Sequence, residues 1–164
     1  VGARGGTWVV GGLAVALVGL MVAIGVLLTS RASVDDDLTA SQREVAEAAR
    51  TEALAFLTVD HTDMDPLIDA VLAGATGEFK EQYESQREML ASEAVRTEAT
   101  SAGEVVALGV GDLDDETATV LIAANSTVTN TSTGSEGQVR YYRLRLDLVR
   151  EDDRWLTSNV QFVR

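Results

Sequence analysis

The chain has no cysteine. Disulfides, thiolate metal sites and thiol nucleophiles are therefore excluded. Histidine, proline and lysine occur once each, as His61, Pro66 and Lys80. Imidazole chemistry is thus confined to one position. Positive charge is also scarce: 13 basic residues face 26 acidic ones, a formal net charge of −13. Such a chain repels phosphate backbones and anionic headgroups. Nucleic acid is not expected as a partner, and membrane contact has to come from an apolar segment. The acidity also serves plain solubility. There is no internal repeat, nucleotide-binding loop, hydrolase elbow or zinc-ligand spacing.

An apolar segment is present. Residues 8–28 read WVVGGLAVALVGLMVAIGVLL, without a charge. As a helix this length spans about 30 Å, a bilayer's hydrocarbon core. Trp8 stands at its edge, where an interfacial aromatic belongs. A cleaved signal peptide is the rival reading, but its apolar core is normally shorter and no clean small-x-small site follows. Arg4 and Arg31 flank the segment equally, so positive charge does not orient it. The short tail favours the long C-terminal part outside the cytoplasm. Gly12, Ala16, Gly19 and Ala23 fall on one helix face, a surface that another helix can approach closely. The expected organisation is a tail (1–7), a membrane helix (8–28), a stalk and first domain helix (29–57), and the rest of an extracytoplasmic domain (58–164).

Residues 35–57 carry an apolar stripe of Leu38, Val45, Ala49 and Phe56 at helical spacing. Glu44, Glu47, Arg50 and Glu52 read as largely off that stripe. Asp35, Asp36 and Asp37 suit a helix N-terminus. Residues 58–64 read as a connector. Asp65 as N-cap and Pro66 at the first helical position then open a second helix. Residues 78–91 read as a third, with Phe79, Tyr83 and Leu90 inward. From residue 94 the period changes to two. Strands are expected over 95–111 (one long strand, or two interrupted near Ser101-Ala102-Gly103), 117–130, 138–151 and 154–163, with turns at 112–116, 131–137 and Asp152-Asp153. On the third of these, Tyr142, Leu144, Leu146 and Leu148 share one face. On the last, Leu156, Val160 and Phe162 are expected inward, with Thr157, Asn159 and Gln161 outward. Short connections make an antiparallel meander, and its apolar face needs the preceding helices as a cover. The fold class is α+β, a curved antiparallel sheet of three or four strands packed on helices.

The order of a membrane helix, a stalk helix and LTVDHTDMDPLIDAVLAGATGEFKEQYESQREML resembles the actinobacterial Mce-associated membrane proteins. Ala75, Thr76, Gly77, Phe79 and Tyr83 match that family's pattern, and Trp155-Leu156 with residues 160–163 match its closing strand. The resemblance covers nearly the whole chain through order and spacing. It implies a cystatin-like fold, similar to the periplasmic domain of type IV secretion inner-membrane scaffold proteins and related to nuclear transport factor and ketosteroid isomerase. It also implies a part in stabilising or assembling Mce lipid-import machines. Fold kinship does not itself transfer function.

Residues that could carry chemistry are few. His61 lies near Asp60, Asp63 and Asp65, but polar residues before a helix are ordinary loop chemistry. The acidic run 112–116 fails as an EF-hand, because Thr117 and Ala123 stand where Gly and Glu are required. Arg140, Arg143, Arg145, Arg150 and Arg154 concentrate positive charge on the late strands. They serve either cross-strand pairing with Asp147 and Glu151 or, through Arg143, Arg145, Arg150 and Arg154, a docking surface for an acidic partner. No catalytic residue, cofactor or metal is expected. The leading expectation is a non-enzymatic, membrane-anchored accessory or assembly subunit of an Mce-type lipid transport complex. Its partners would be membrane-embedded and extracytoplasmic subunits, with self-association also open. The alternatives are a module holding a lipid or apolar ligand in a cone-shaped pocket, a scaffold subunit of another secretion complex, and an isomerase- or hydratase-like enzyme.

Overall fold

The computed structural model describes residues 38–163. The expected membrane helix, its face of Gly12, Ala16, Gly19 and Ala23, and the acidic run 35–37 lie outside these residues. Among the described residues no helix is long and apolar enough to cross a membrane.

Helix α1, Ala40–Phe56, is rich in alanine, the best helix former. Its expected span from residue 35 is shortened, since Leu38 and Thr39 lie before it. Val45, Ala49, Ala53 and, just past its end, Leu57 recur every fourth residue and are buried. Small side chains on this row let the helix sit close to a sheet. A two-residue strand, β1 (Val59–Asp60), follows where only a connector was expected. Helix α2, Met64–Gly74, starts before the expected Asp65-Pro66 pair. Pro66 is tolerated inside the first turn because amides there have no intrahelical acceptor.

The single helix expected over 78–91 is two: α3, Gly77–Ser85, and α4, Arg87–Thr97, which meet at Gln86. The α4 helix runs past the expected strand start. Arg96 pairs with Glu93 in its last turn, and Glu98, in the left-handed region at φ 51°, ends it.

Four long strands complete the domain: β2 (Thr100–Leu113), β3 (Thr117–Thr129), β4 (Gln138–Glu151) and β5 (Arg154–Phe162). With β1 they form one sheet in the order β1-β2-β3-β4-β5, all neighbours antiparallel. The sheet therefore has five strands, one or two more than the period-two reading found. Asp152 and Asp153, at φ 47° and 60°, form the expected tight turn between β4 and β5, a position that favours residues tolerant of positive φ. At the β2–β3 turn the Asp114 carboxylate accepts from the amides of Glu116 and Thr117 and the Thr117 hydroxyl.

The core lies between α1 and the inner sheet face. Val120, Ile122 and Ala124 of β3 and Leu144, Leu146 and Leu148 of β4 fill it, as their alternation predicts. Each buried leucine contributes about 1.5–3 kcal/mol. Register shifts beside Val106 and between Val110 and Leu113 bend β2 and curve the sheet around α1. Gly103 marks the closest approach, because a Cβ there would stand 2.7 Å from the Leu57 Cβ.

One inward assignment is corrected. Asp147 pairs with Asn159 but Leu148 with Thr157, so Ser158 bulges out of register. A bulge puts the residues before it and after it on opposite alternations. Trp155 and Thr157 are consequently buried and Leu156 only partly so, whereas Val160, beyond the bulge, packs on the core as expected.

Candidate functional site

Two surfaces of the domain have chemistry that its folding does not use up. The first is the outer face of the sheet. Strand register places Ala107, Ala123 and Arg143 in one row and Gly109, Leu121, Arg145 and Gln161 in the next. Small residues at the centre leave a shallow depression of about 380 Å³, with Leu121, Arg143 and Val163 among its walls. Around it Val106, Leu121, Val139 and Tyr141 are each at least half exposed. Exposed large apolar side chains gathered on one sheet face are a feature of contact surfaces.

The four arginines singled out from sequence divide here. Arg143 and Arg145 stand on the outer face beside the depression. Arg145 pairs with Asp147 at 3.0 Å, whereas Arg143 makes no ion pair among the described residues. Arg150 and Arg154 belong elsewhere. Arg150 lies over the Trp155 ring and 3.5 Å from Asp153, and Arg154 donates to the Ala73 carbonyl of α2.

The second surface is a groove of about 380 Å³ between α1, α2 and the start of β5. Ala48, Ala70, Ala73 and Gly74 form its walls, and Glu52 and Trp155 also line it. Glu52 corrects the sequence reading: it is 2% exposed, not on a wet face. Its spacing from Val45 and Ala49 puts it on their stripe, a signal available in the sequence but masked by its grouping with Glu44 and Glu47. The carboxyl occupies space a side chain at Gly74 would need, with Oε2 2.1 Å from an added Cβ. Oε1 is buried without a hydrogen-bond partner, as are the Trp155 Nε1 and the Thr157 hydroxyl. Burial pushes the Glu52 carboxyl up to about 8. Burial, and secondarily the Glu52 charge, also raises the Tyr83 phenol.

A third hollow, about 300 Å³, opens between the end of α1 and the inner sheet face, with Phe56, Tyr142 and Phe162 among its walls. Phe56 links Phe79 and Tyr83 of α3 to Phe162, with ring centroids 6.1–6.3 Å apart. Nearby, Ala75 bridges to Thr157, and the Thr76 amide donates to the Thr157 carbonyl. The motif residues behind the family resemblance therefore tie α2 and α3 onto α1 and β5.

The residues around His61 form no shared site. Asp60 accepts from the amide and hydroxyl of Thr62, and these bonds lower its carboxyl. The His61 amide donates to the Ala99 carbonyl beside the β1–β2 pairing. Among the described residues no group of three or more His, Cys, Asp or Glu side chains is arranged to hold a metal ion.

Among solved structures, the periplasmic domain of DotI is similar with a TM-score of 0.58 at 13% identity, over 77% of this chain and 98% of that one. CagV from Helicobacter pylori strain 26695, a VirB8 homologue of a type IV secretion system, gives 0.58 at 6% identity, over 73% and 95%. A ketosteroid isomerase-like protein from Erwinia carotovora gives 0.52 at 20% identity, over 77% and 99%. At such identities the likeness is one of fold: a curved sheet packed on helices, the NTF2-like arrangement. In sequence, the Uncharacterized protein Rv1363c of Mycobacterium tuberculosis is 26% identical over 118 residues, 72% of this chain. The chain spans 45% of that relative's length. A family model matches residues 9–164, and the chain belongs to that family, the Uncharacterized protein Rv1363c/MT1408-like proteins.

Proposed function

We propose that this protein is a non-enzymatic scaffold subunit of a cell-envelope secretion or transport complex, anchored by residues 8–28 with its domain outside the cytoplasm. The observation that carries the reading is the outer sheet face. It presents an apolar depression flanked by Arg143 and Arg145, with Leu121 53% and Tyr141 80% exposed, and domain folding leaves it uncovered. An apolar centre with an arginine rim is the composition of protein-contact surfaces. The likeness to the periplasmic domain of DotI and to CagV supports a complex of the type IV secretion kind, because those domains share the whole fold. The partner's complementary surface would be apolar at its centre and acidic at its edge. The mechanism is positional: the membrane helix packs through Gly12, Ala16, Gly19 and Ala23, and the domain docks outside.

An Mce-type lipid transport complex is the second reading, favoured by the match at Ala75, Thr76, Gly77, Phe79 and Tyr83. Those residues hold the helices onto α1 and β5, so they support the shared fold more than any particular partner. Affinity purification of the full-length chain from its native membranes separates the readings. Co-purifying secretion-type subunits support the first, and transporter permease or substrate-binding subunits the second. A chain recovered alone, as a free monomer, contradicts both.

A further inference from the structure

The hollow between the end of α1 and the inner sheet face is on the opposite side of the sheet from Arg143 and Leu121, so a partner docked on the outer face would leave it open. Six of the nine residues that line it are apolar or aromatic. Phe162 is 61% exposed, and its ring centroid stands 6.2 Å from that of Phe56 and 6.0 Å from that of Tyr142. Covering aromatic surface that stands open to water is favourable.

The other three lining residues are Ser101, Ser126 and Arg140. The Ser101 hydroxyl donates to the Leu57 carbonyl, and the Ser126 hydroxyl is buried under its neighbours, out of a ligand's reach. Arg140 is the polar residue left open. It is exposed, it lies two residues from Tyr142 on the same face of β4, and it sits opposite Ser126 across the sheet. Acidic residues outnumber basic ones 26 to 13, yet among the described residues Arg140 makes no ion pair, and no Asp or Glu lines the hollow.

We propose that this hollow binds a single-chain alkyl carboxylate, its hydrocarbon against Phe56, Tyr142 and Phe162 and its carboxylate on the Arg140 guanidinium. A guanidinium matches a carboxylate with two parallel hydrogen bonds. One unpaired cation balances one negative charge, which favours a monoanion over a phosphate dianion. A cation would meet Arg140 with no carboxylate in the lining to offset it. A neutral chain gains the aromatic contact alone. The volume, about 300 Å³, is at the lower end of small-molecule sites and suits one short chain rather than a two-chain lipid.

The test is calorimetric titration of the full-length chain in nanodiscs of zwitterionic lipid, with empty nanodiscs as the reference. Octanoate is the probe, and octanol and octylammonium are the neutral and cationic controls. The expected result is one saturable site for octanoate, about tenfold tighter than octanol, with octylammonium weaker still. Arg140→Gln, an exposed change, should weaken octanoate about tenfold and leave octanol unchanged. Phe162→Ala should weaken octanoate and octanol alike, by severalfold, through the lost apolar contact. Octanoate heats matching those of empty nanodiscs, equal affinity for octanoate and octylammonium, or an Arg140→Gln chain that holds octanoate as tightly as the native one would overturn the proposal.

Discussion

Replacing Glu52 with glutamine or leucine should stabilise the domain, and the gain should grow with pH. An ionised carboxyl in the unfolded chain must be protonated, or buried charged, in the folded one. The folded carboxyl is raised from 4.5 to about 8. A group raised on folding contributes its full share of stability below the unfolded value and loses it as pH rises toward the folded value. The domain should therefore lose stability steadily between about pH 4.5 and pH 8, reaching roughly 3 kcal/mol by pH 7. Self-repulsion of an acidic chain acts in the same direction, so the informative quantity is the difference between the native chain and Glu52→Gln. Urea unfolding of the unit from Ala40 onward, at pH 5 and pH 7.5, measures it. The expected result is near-equal midpoints at pH 5 and a clearly higher midpoint for Glu52→Gln at pH 7.5. Leucine should gain more, since it also removes the unpaired buried oxygen. Equal midpoints at both pH values would mean that Glu52 is solvated or paired in solution.

Gly103→Ala should destabilise the domain by about 1–3 kcal/mol, because its Cβ would press on the Leu57 Cβ, which cannot swing aside; chemical denaturation measures the loss. The Asp114 carboxyl is lowered by the bonds it accepts from the Glu116 and Thr117 amides and the Thr117 hydroxyl. That turn should be firm above the ordinary aspartate range and loosen only as pH falls below it, through the lowered value, which amide exchange at Glu116 and Thr117 would register. Leu121→Glu and Arg143→Glu should change stability by less than about 0.5 kcal/mol, since both side chains are exposed, yet remove partner capture in pull-downs from native membranes.

Much of this architecture is legible in the sequence because it rests on simple periodicity. Leu144, Leu146 and Leu148 alternate without interruption, and β4 spans Gln138–Glu151, the bounds that the turns on either side imply. Three departures have physical causes that periodicity cannot carry. The β1 strand is two residues long, too short for a pattern, and exists only through its pairing with Thr100 and Ser101. At Ser158 one extra residue puts the two ends of β5 on opposite alternations, and nothing in RWLTSNVQF announces it. Val95 fits a strand by composition but closes a helix, where the Arg96–Glu93 pair holds the last turn. Glu52 differs in kind. Its position on the stripe of Val45 and Ala49 was readable, and its charge concealed the fact. Arg143 and Arg145 could be named from the sequence, but their separation from Arg150 and Arg154 required the fold, because the β4–β5 hairpin and the docking of α2 engage the latter pair.

Docking of a partner on the outer sheet face, as proposed, would leave that partner within a few ångströms of Leu121. Site-specific photo-crosslinking in native membranes tests it most directly, with the crosslinker at Leu121 in one chain and at Glu88, on exposed α4, in another. Adducts with subunits of one envelope complex are expected from position 121 and none from position 88. Equal capture from both positions, or none from 121 in a correctly folded chain, would contradict it.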